Sequence, residues 1–368
     1  MRRASSRATA NRRPQLERCE PGGAVWTGAN PGLPKRVIVG IEATVLRWGV
    51  IGTGRICETF VPDIQAAGGR VVGVWGRTAE KTDTFAQEHD IPFATLDLEQ
   101  LLGRDDIDVV YVATPPATHL DLSVRALQAG KHVLVEKPMA TSAADVEQLF
   151  DVARSHDRFV MEAMWMKFNP LHVEVVRRIQ AGLIGEPRYV RGAFGMPFPA
   201  GGSRWDAALG GSTVLDQGIY PVTLAIWVLG QATELLATGT VRDGVDVTAQ
   251  ISMVHENGRT SQLACSVLEF VDPSASMSGT AGWVEIPAMF WATDVAHLHA
   301  GSTGALFGKP ELLTRPREGN GYIPMIRSVT KAISSGHRQH PEHDLSATRS
   351  VARVLDAVRA QIHGEVRA

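Results

Sequence analysis

The chain has 368 residues, of which 44% are hydrophobic, and a formal net charge of −2. This near-neutral balance gives no electrostatic reason to expect binding to nucleic acid or to an anionic membrane. No apolar run approaches the roughly 20 residues that span a bilayer. The length favours two domains over a single core. Three scattered cysteines, Cys19, Cys57 and Cys265, form no metal-spaced pair, which indicates a reduced, cytoplasmic setting and no metal site.

Residues 1–44 differ in composition from the rest of the chain. The segment MRRASSRATANRRPQLER is rich in arginine and nearly free of acids, and the segment EPGGAVWTGANPGLP is rich in glycine and proline. Neither Arg2-Arg3 nor Arg12-Arg13 precedes the apolar stretch that an export signal requires. An organellar transit peptide matches this region in composition only. We therefore predict a disordered extension, or a start site placed too far upstream, over residues 1–44.

Strand and helix patterns alternate from residue 45 to about residue 168. The predicted strands cover residues 44–52, 70–76, 108–114, 131–137 and 158–164, and the predicted helices cover 55–67, 78–90, 118–130 and 141–157. Apolar strands joined by helices of this length are typical of a parallel, doubly wound sheet. This pattern predicts an α/β fold with an N-terminal Rossmann domain over residues 45–168.

The pattern changes in the second half of the chain. A helix is predicted over residues 171–185, strands dominate from about 232 to 300, and two helices follow over 324–336 and 346–364. Asn257-Gly258 lies between two strand-like runs and predicts a hairpin turn. We predict that residues 169–368 form an α+β domain with a large, mostly antiparallel open sheet.

A glycine loop lies between the first strand and the first helix. Gly52 and Gly54 stand where the backbone turns and where a pyrophosphate would approach the main chain at a helix N-terminus. Cys57 takes the third small position of the fingerprint. Such a loop can be purely structural, but its position at the start of a doubly wound domain favours dinucleotide binding.

The end of the second strand bears on the choice of dinucleotide. An acidic residue is expected there if the ribose 2′-hydroxyl of NAD is held. The sequence instead has Gly76, Arg77 and Thr78. Arg77 can pair with a 2′-phosphate and Thr78 can donate to it. The alternative is a solvated arginine at a strand end. We predict NADP as the preferred cofactor and NAD as the second.

The stretch KHVLVEKPMA is a buried strand that ends in Glu136, Lys137 and Pro138. The pair of charges is either a surface ion pair or a reactive lysine. Ligands of doubly wound sheets bind beyond the carboxyl ends of the strands, where Lys137 emerges. Pro138 disfavours a helical conformation at Lys137. The pattern therefore favours a lysine that points into the ligand crevice.

A second polar element is DQGIY, which contains Asp216 and Tyr220. On a helix, residues four apart lie on one face. Pro221 removes a backbone donor and would free the carbonyl of Gln217, so the helix either begins close to this point or is kinked here. A tyrosine in so apolar a stretch is typical of a core residue, and the residues alone leave the role of Tyr220 open.

Together, the glycine loop, EKP, MEAMWMKFNP and GGSTVLDQGIYPVTLAIWVLG resemble the glucose–fructose oxidoreductase / inositol dehydrogenase / MocA family. The likeness extends from residue 46 through nearly the whole chain. Within the family it is greatest to the dimeric dihydrodiol dehydrogenase and NADP-dependent D-xylose dehydrogenase group. The block from Glu162 to Pro170 matches that group, with Lys167 where arginine is usual.

The resemblance implies an NAD(P)-dependent oxidoreductase that moves a hydride between a secondary alcohol or hemiacetal carbon and the nicotinamide. It implies Lys137 and Tyr220 as the acid–base pair, with Asp216 orienting Lys137 or the substrate. The predicted cofactor-binding residues are Gly52, Thr53, Gly54, Arg55, Ile56, Arg77, Thr78, Thr114, Pro115, His119, Glu136, Lys137 and Trp165. The predicted substrate-binding residues are Trp165, Lys167, Arg204 and Trp205.

The implied substrate is a sugar, cyclitol or diol, and a homodimer or homotetramer through the C-terminal sheet is expected from the family. Three other functions are compatible with parts of the sequence. A noncatalytic NADP-binding sensor would not need Lys137, Asp216 and Tyr220 together. A glycosidase that uses the nicotinamide transiently is known on this fold, and a soluble interaction protein would leave the glycine loop unexplained.

Overall fold

The computed structural model describes residues 45–364 of the chain. The extension predicted over residues 1–44 lies outside the described residues. Two sheets organise the described part of the chain, one parallel with six strands and one mostly antiparallel with eight. The predicted fold class, a doubly wound parallel sheet followed by an open antiparallel sheet, is confirmed.

The parallel sheet has the strand order β3-β2-β1-β4-β5-β6. Its strands are β1 Arg47–Ile51, β2 Arg70–Trp75, β3 Ala94–Thr95, β4 Val109–Val112, β5 His132–Val135 and β6 Val160–Glu162. Its helices are α1 Arg55–Ala66, α2 Ala79–Glu88, α3 Leu98–Leu102, α4 His119–Gln128 and α5 Ala143–Ser155. The short β3 and α3 are not among the elements predicted from the sequence.

Strand β4 shows why the first sheet is covered on both faces. Val109 and Tyr111 enter one hydrophobic cluster, while Val110 and Val112 enter the other. Successive side chains of a strand point to opposite faces, and all four residues of β4 are buried. An uninterrupted apolar strand of this kind needs helices on both sides of the sheet.

The second sheet has the order β14-β13-β12-β11-β7-β10-β9-β8. Its strands are β7 Pro187–Gly195, β8 Ala232–Arg242, β9 Val245–His255, β10 Arg259–Ser266, β11 Ala275–Gly279, β12 Gly282–Ile286, β13 Val295–Ala300 and β14 Glu311–Thr314. All neighbouring pairs are antiparallel except β10 with β7. The predicted hairpin between β9 and β10 is confirmed, with positive φ angles at both Asn257 and Gly258.

Helices cover one face of this second sheet. Along β9, Ala249, Ile251 and Met253 are buried, whereas Gln250 and Ser252 between them are exposed. The helical segments of this half are α6 Pro170–Gln180, a π-helix over Val214–Gly218, α7 Ile219–Leu229, α8 Thr303–Leu306, α9 Ile323–Ser334 and α10 Leu345–Ile362. Helix α7 packs on β7, and α10 contacts both β8 and α5.

The question that Pro221 raises is resolved by the π-helix. This segment carries Asp216 and leads directly into α7, where Pro221 is the third residue. The first residues of an α-helix have amide groups with no partner in the helix, so a proline there removes no intrahelical hydrogen bond. The structure therefore combines the two expected outcomes, because an α-helix begins near Pro221 and an irregular turn precedes it. Across residues 45–364, no helix has the combined length and apolar character needed to cross a membrane.

Candidate active site

A cleft of about 950 Å³ lies at the carboxyl ends of β1, β2 and β4. Nine residues of the predicted cofactor-binding set line it, namely Gly52, Thr53, Gly54, Arg55, Ile56, Arg77, Thr78, Thr114 and Pro115. We call this hollow the outer cleft. Its position beyond the strand ends is where doubly wound sheets bind their ligands.

The glycine loop fits a dinucleotide at this position. Gly52 has a φ of 124°, and a Cβ there would lie 2.6 Å from the carbonyl oxygen of Ala113, so a side chain is excluded. At Gly54 a Cβ would meet no atom within 4 Å, which leaves the space beside the backbone open. Gly54 is also the N-cap of α1 and, having no side chain, cannot cap the first amide groups of that helix. The first amide groups of α1 can therefore bind a phosphate.

Basic side chains surround the part of the outer cleft next to β2. Arg55, Arg77 and Lys81 line it, and its lining contains no aspartate or glutamate. Thr78 is the N-cap of α2, and its side chain makes no capping bond. This environment favours an anionic group at the ribose end of a dinucleotide.

A second hollow of about 540 Å³, the inner cleft, adjoins the outer one. The two clefts share seven lining residues, Ile56, Ala113, Thr114, Pro116, Phe198, Ser203 and Arg204. The inner cleft brings together Lys137, Asp216 and Tyr220, with His119, Glu136 and Trp165 in its wall. The three predicted catalytic residues therefore face one space that continues into the dinucleotide cleft.

Lys137 lies two residues beyond the end of β5, which positions it at the carboxyl edge of the sheet. The Lys137–Pro138 peptide bond is cis. The ammonium donates to the Oδ1 atom of Asp216 at 2.8 Å and to the Asp216 carbonyl oxygen at 2.9 Å. It also lies 5.0 Å from the ring centroid of Tyr220. Burial is the largest single influence and would lower the pKa of Lys137, but Asp216, Tyr220 and Glu136 together raise it, so Lys137 is a cation near neutral pH.

Asp216 is held between two cations. Its second oxygen, Oδ2, accepts from Nε of Arg204 at 2.6 Å. Burial would raise the pKa of the Asp216 carboxyl, but Lys137 and Arg204 together lower it to about 2. Asp216 is therefore ionised, and both of its oxygens are engaged by side chains of the protein. It orients Lys137 directly.

Tyr220 lies deepest of the three and is 5% exposed. Its hydroxyl oxygen accepts from the indole N–H of Trp165 at 3.0 Å. Burial raises the pKa of Tyr220 above its usual value, while the positive charge of Lys137 and the Trp165 hydrogen bond oppose that rise. Burial is the larger influence, so the pKa of Tyr220 is raised overall although Lys137 opposes the rise. In the protein alone, Tyr220 is a neutral proton donor at pH 7.

Glu136 is the other acid in the inner cleft. It is 7% exposed, accepts from the hydroxyl of Tyr111 at 2.5 Å, and accepts from the backbone N–H of Lys137 at 3.1 Å. Burial raises the pKa of Glu136 to about 7, against the opposing effects of Tyr111 and Lys137. Glu136 therefore titrates near neutral pH, whereas Asp216 does not.

His119 links the ends of two strands beneath the site. Its ring nitrogens lie 2.8 Å from the carbonyl oxygen of Pro138 and 2.7 Å from that of Thr114. Burial lowers the pKa of the imidazole, and in its neutral form one of the two nitrogens donates to a carbonyl oxygen. His119 lines the inner cleft while fixing the turn after Lys137.

Two residues of the predicted substrate set are not brought to either cleft. The amine of Lys167 donates to the carbonyl oxygen of Glu342 at 2.6 Å and lies over the ring of Trp227. The indole of Trp205 donates to the carbonyl oxygen of Pro199 at 2.8 Å. Trp165 and Arg204, the other two members of that set, line the inner cleft.

Several lining residues were missed from the sequence. Lys81 follows Thr78 by one turn of α2, so its position in the outer cleft could have been found from helical spacing. Phe194, Trp291 and Tyr322 form an aromatic wall of the inner cleft. Phe194 and Trp291 stack with ring centroids 3.5 Å apart. They come from distant parts of the chain, and no local pattern marks them.

Two family profiles match the chain. The one described as "Oxidoreductase family, NAD-binding Rossmann fold" matches residues 46–164, and the GFO/IDH/MocA C-terminal domain matches residues 172–285. A trans-1,2-dihydrobenzene-1,2-diol dehydrogenase from Xenopus laevis is 31% identical over 86% of this chain and 98% of its own length. The chain belongs to the Gfo/Idh/MocA family of oxidoreductases.

Other relatives of this Gfo/Idh/MocA oxidoreductase point the same way. The trans-1,2-dihydrobenzene-1,2-diol dehydrogenase from Bos taurus is 30% identical over 86% of this chain and 97% of its own length. A 3-ketoreductase from Actinomadura kijaniata, solved with NADP and TDP-benzene, is 29% identical with a TM-score of 0.77, covering 86% of this chain and 98% of its own. An aldose-aldose oxidoreductase from Caulobacter crescentus is similar in fold, with a TM-score of 0.78 at 22% identity, covering 88% of this chain and 99% of its own.

The described residues contain no group of three or more His, Cys, Asp or Glu side chains that could hold a metal ion. The residues that do converge are a lysine, a carboxylate and a phenol beside a Rossmann cleft. This set matches hydride transfer to or from a nicotinamide, in which the cofactor carries the redox step and the protein supplies alignment and a proton path.

Proposed function

We propose that this oxidoreductase moves a hydride between a secondary carbinol carbon of a diol, cyclitol or sugar and the nicotinamide of NADP. Residues 45–168 would hold the dinucleotide, and residues 169–368 would supply the substrate wall and the subunit contacts. The observation that carries the proposal is the position of Lys137. Its ammonium is fixed by Asp216 and lies against Tyr220, in the smaller cleft that adjoins a dinucleotide-sized one.

The preference for NADP over NAD rests on the charges of the outer cleft. Arg77 and Lys81 line the cleft where the second strand ends, and its lining includes no acid that could accept from a 2′-hydroxyl. A guanidinium suits a phosphate because it donates several hydrogen bonds in one plane. The 3-ketoreductase from Actinomadura kijaniata, which was solved with NADP, supports the same choice.

Three residues of the chain would carry out the proton chemistry. Tyr220 would exchange the hydroxyl proton with the substrate, and the Trp165 N–H would hold its oxygen in place. Lys137 would stabilise the negative charge that develops on the substrate oxygen. Asp216 would keep Lys137 protonated and directed at the cleft. Arg204 would hold Asp216 in place by donating to its second carboxylate oxygen.

The high pKa of Tyr220 gives the two directions of reaction opposite pH dependences. Carbonyl reduction needs the neutral phenol as proton donor, and that form predominates at pH 7 because burial raises the pKa. Alcohol oxidation needs the proton removed from Tyr220, so its rate should rise as the pH rises. We therefore expect the reaction to be measured most easily as oxidation at alkaline pH.

The walls of the inner cleft support a substrate with both polar and apolar faces. Trp165, Phe194, Tyr220, Trp291 and Tyr322 supply aromatic rings, and Lys137 and Arg204 supply donors. Aromatic surfaces pack against the apolar face of a ring, while the donors hold hydroxyl groups. The dihydrodiol dehydrogenases are named for a ring diol, and the 3-ketoreductase was solved with TDP-benzene, so both support a ring-shaped ligand here.

We also propose a cytoplasmic homodimer or homotetramer. The two cysteines in the described part, Cys57 and Cys265, are free and buried, which suits a reducing compartment. The face of the second sheet that carries Gln250 and Ser252 is left uncovered by its own helices. A sheet face of this extent is a suitable surface for pairing with a second copy.

The test is a screen of diols, cyclitols and aldoses with NADP⁺ and NAD⁺ in parallel, in which the absorbance of the reduced nicotinamide is recorded. We expect turnover with NADP⁺ on at least one diol or sugar. Lys137→Met should lower that turnover about 10³-fold while NADP⁺ binding is kept, because a charge-stabilising donor is lost. Lys331→Met, on the exposed face of α9, is the matched control.

Two outcomes would contradict the proposal. Binding of NADP⁺ without turnover of any substrate would favour a sensor function. Substrate cleavage without net change in nicotinamide absorbance would favour a glycosidase. Unchanged turnover in Lys137→Met would remove the assigned role of this residue even if the oxidoreductase activity is present.

A further inference from the structure

The reactive pair of the proposed mechanism is assembled from two separate segments. Lys137 leads into the loop that connects β5 to α5, and Asp216 lies in the π-helix Val214–Gly218. Their side chains meet at 2.8 Å. The distance between the two segments therefore sets where the ammonium points, and something must fix each backbone segment.

Asp246, in β9, anchors the π-helix. Its side chain is 1% exposed, and its Oδ1 atom accepts from the backbone N–H of Val214 at 2.8 Å and from the hydroxyl of Ser212 at 2.9 Å. Val214 is the first residue of the π-helix, two residues before Asp216. Because π-helical turns are uncommon and need support from their surroundings, this carboxylate is well placed to fix the turn.

Helix α10 supports the other segment. Nη1 of Arg359 donates to the carbonyl oxygen of Thr141 at 3.0 Å, and Oδ2 of Asp356 accepts from the backbone N–H of Ala143 at 2.8 Å. Thr141 lies in the connection that follows Lys137, and Ala143 is the first residue of α5. One turn of α10 thus holds the backbone just beyond the reactive lysine.

Arg359 contacts both Asp246, which holds the π-helix, and Thr141, in the connection after Lys137. Its Nε atom lies 3.7 Å from Oδ2 of Asp246, and Nε2 of His363 lies 3.6 Å from the same oxygen. None of these three atoms has a hydrogen-bond partner among the described residues. Arg359 is the permanently charged one of these two neighbours, so loss of its charge would leave the buried Oδ2 atom of Asp246 without that fixed positive charge beside it.

We propose that Asp246 and Arg359 are positioning residues that fix the separation between Lys137 and Asp216. Neither residue lines the inner or the outer cleft, so neither contacts the substrate or the cofactor. This inference rests on the proposed function, because it assigns the pair a consequence for turnover. Misplacement of a reacting group by about 1 Å can cost about 10²-fold in rate.

The first test is Arg359→Met. We expect kcat for the substrate found in the screen to fall about tenfold or more, with KM and the Kd for NADP⁺ changed less than about threefold. Arg359→Lys keeps the charge and should recover most of kcat. Asp246→Asn combined with Arg359→Met should be less impaired than Arg359→Met alone, because the amide still accepts from Val214 and no unpaired charge remains.

Arg353→Met is the matched control. Arg353 also lies in α10 and also forms an ion pair with the first half of the chain, through Glu147 at 3.0 Å, but it contacts neither support of the reactive pair. Its kcat should equal that of wild type. An equal loss of kcat in the two Met variants, or a KM increase without loss of kcat in Arg359→Met, would overturn the proposal.

A second readout does not depend on turnover. Wild type and both Met variants are treated with a trace of acetic anhydride, and acylation of Lys137 relative to Lys331 is measured by mass spectrometry. Release of Lys137 from Asp216 should raise its relative acylation about fivefold in Arg359→Met and not in Arg353→Met. Unchanged acylation would overturn the positioning role even if the chain turned over no substrate, so the two proposals fail separately.

Discussion

The outer and inner clefts differ in how the chain builds them. Most of the outer cleft comes from two short stretches, residues 52–59 and 75–81, each at the end of a parallel strand. The inner cleft takes its walls from segments as far apart as Glu136 and Tyr322. A site made by one strand–turn–helix unit carries its geometry locally, whereas a site made by distant segments depends on the packing of the whole domain.

The clefts also differ in charge. The outer one has basic side chains and no acid in its lining, while the inner one sets Lys137 and Arg204 against Asp216 and Glu136. The first arrangement is suited to holding an anion. The second is suited to keeping a cation in a fixed place and to moving a proton. Substitutions in each cleft should therefore affect different measured quantities.

Tyr220→Phe is expected to give the largest effect, because it should lower turnover strongly without weakening cofactor binding. Loss of the phenolic proton should lower kcat about 10²- to 10³-fold, in the range for general acid–base groups, and leave NADP⁺ affinity within about twofold. Stopped-flow turnover and fluorescence titration of the cofactor measure the two effects. Tyr189→Phe, on the exposed sheet, is the control. A large loss with Tyr322→Phe and none with Tyr220→Phe would transfer the role to Tyr322.

A smaller effect, on the pH dependence of stability, is expected from Glu136, the inner-cleft acid that titrates near neutral pH. The pKa of Glu136 is raised from 4.5 to about 7, so the folded state favours the protonated form. Stability from this group is complete below about pH 4.5 and is lost as the pH rises to about 7. At about 1.4 kcal/mol per pKa unit, the loss is on the order of 3 kcal/mol.

Glu136→Gln removes this titration. Urea unfolding at pH 5 and pH 8 should therefore show the variant gaining stability relative to wild type by on the order of 3 kcal/mol between the two pH values. Glu256→Gln, in an exposed turn, should show no such gain. Parallel pH curves for wild type and Glu136→Gln would mean that the carboxyl is ionised at little cost in the folded protein.

The smallest effect is expected from a substitution in the outer cleft, which should change cofactor affinity and not turnover chemistry. Arg77→Ala should weaken NADP⁺ binding about 10- to 100-fold and leave NAD⁺ binding within about twofold, because a charge-assisted contact to the 2′-phosphate is worth roughly 1.5–3 kcal/mol. Isothermal titration with both cofactors measures this ratio. Arg70→Ala, at the other end of β2, is the control. Equal weakening for NADP⁺ and NAD⁺ would show that Arg77 does not select the cofactor.

This difference between the clefts also explains what the sequence predicts well. The glycine loop, the basic tip of β2 and the exit of Lys137 from β5 follow from local patterns, and the structure places all three on one crevice. Tyr322 could not be predicted in this way. Its backbone N–H donates to Asp63 of α1, and the loop before it is held by the same carboxylate, so its place depends on a contact between distant segments.

Lys167 shows that a local motif can also mislead, because the structure places this residue outside both clefts. The family resemblance placed Lys167 with Trp165 in the substrate-binding set, but both lie on a 3₁₀-helix, Trp165–Phe168. With three residues per turn, side chains two positions apart point in clearly different directions. Trp165 therefore faces the inner cleft while Lys167 reaches Glu342. A sequence block can mark a functional segment without every polar residue in it facing the ligand.

The wall that the clefts share has a consequence for binding. Phe198, Ser203 and Arg204 border both spaces, and Arg204 also grips Asp216. A molecule in the inner cleft would therefore contact the same segment that borders the dinucleotide. We expect the binding of either ligand to change the affinity for the other, and titration of NADP⁺ with and without the substrate would measure that coupling.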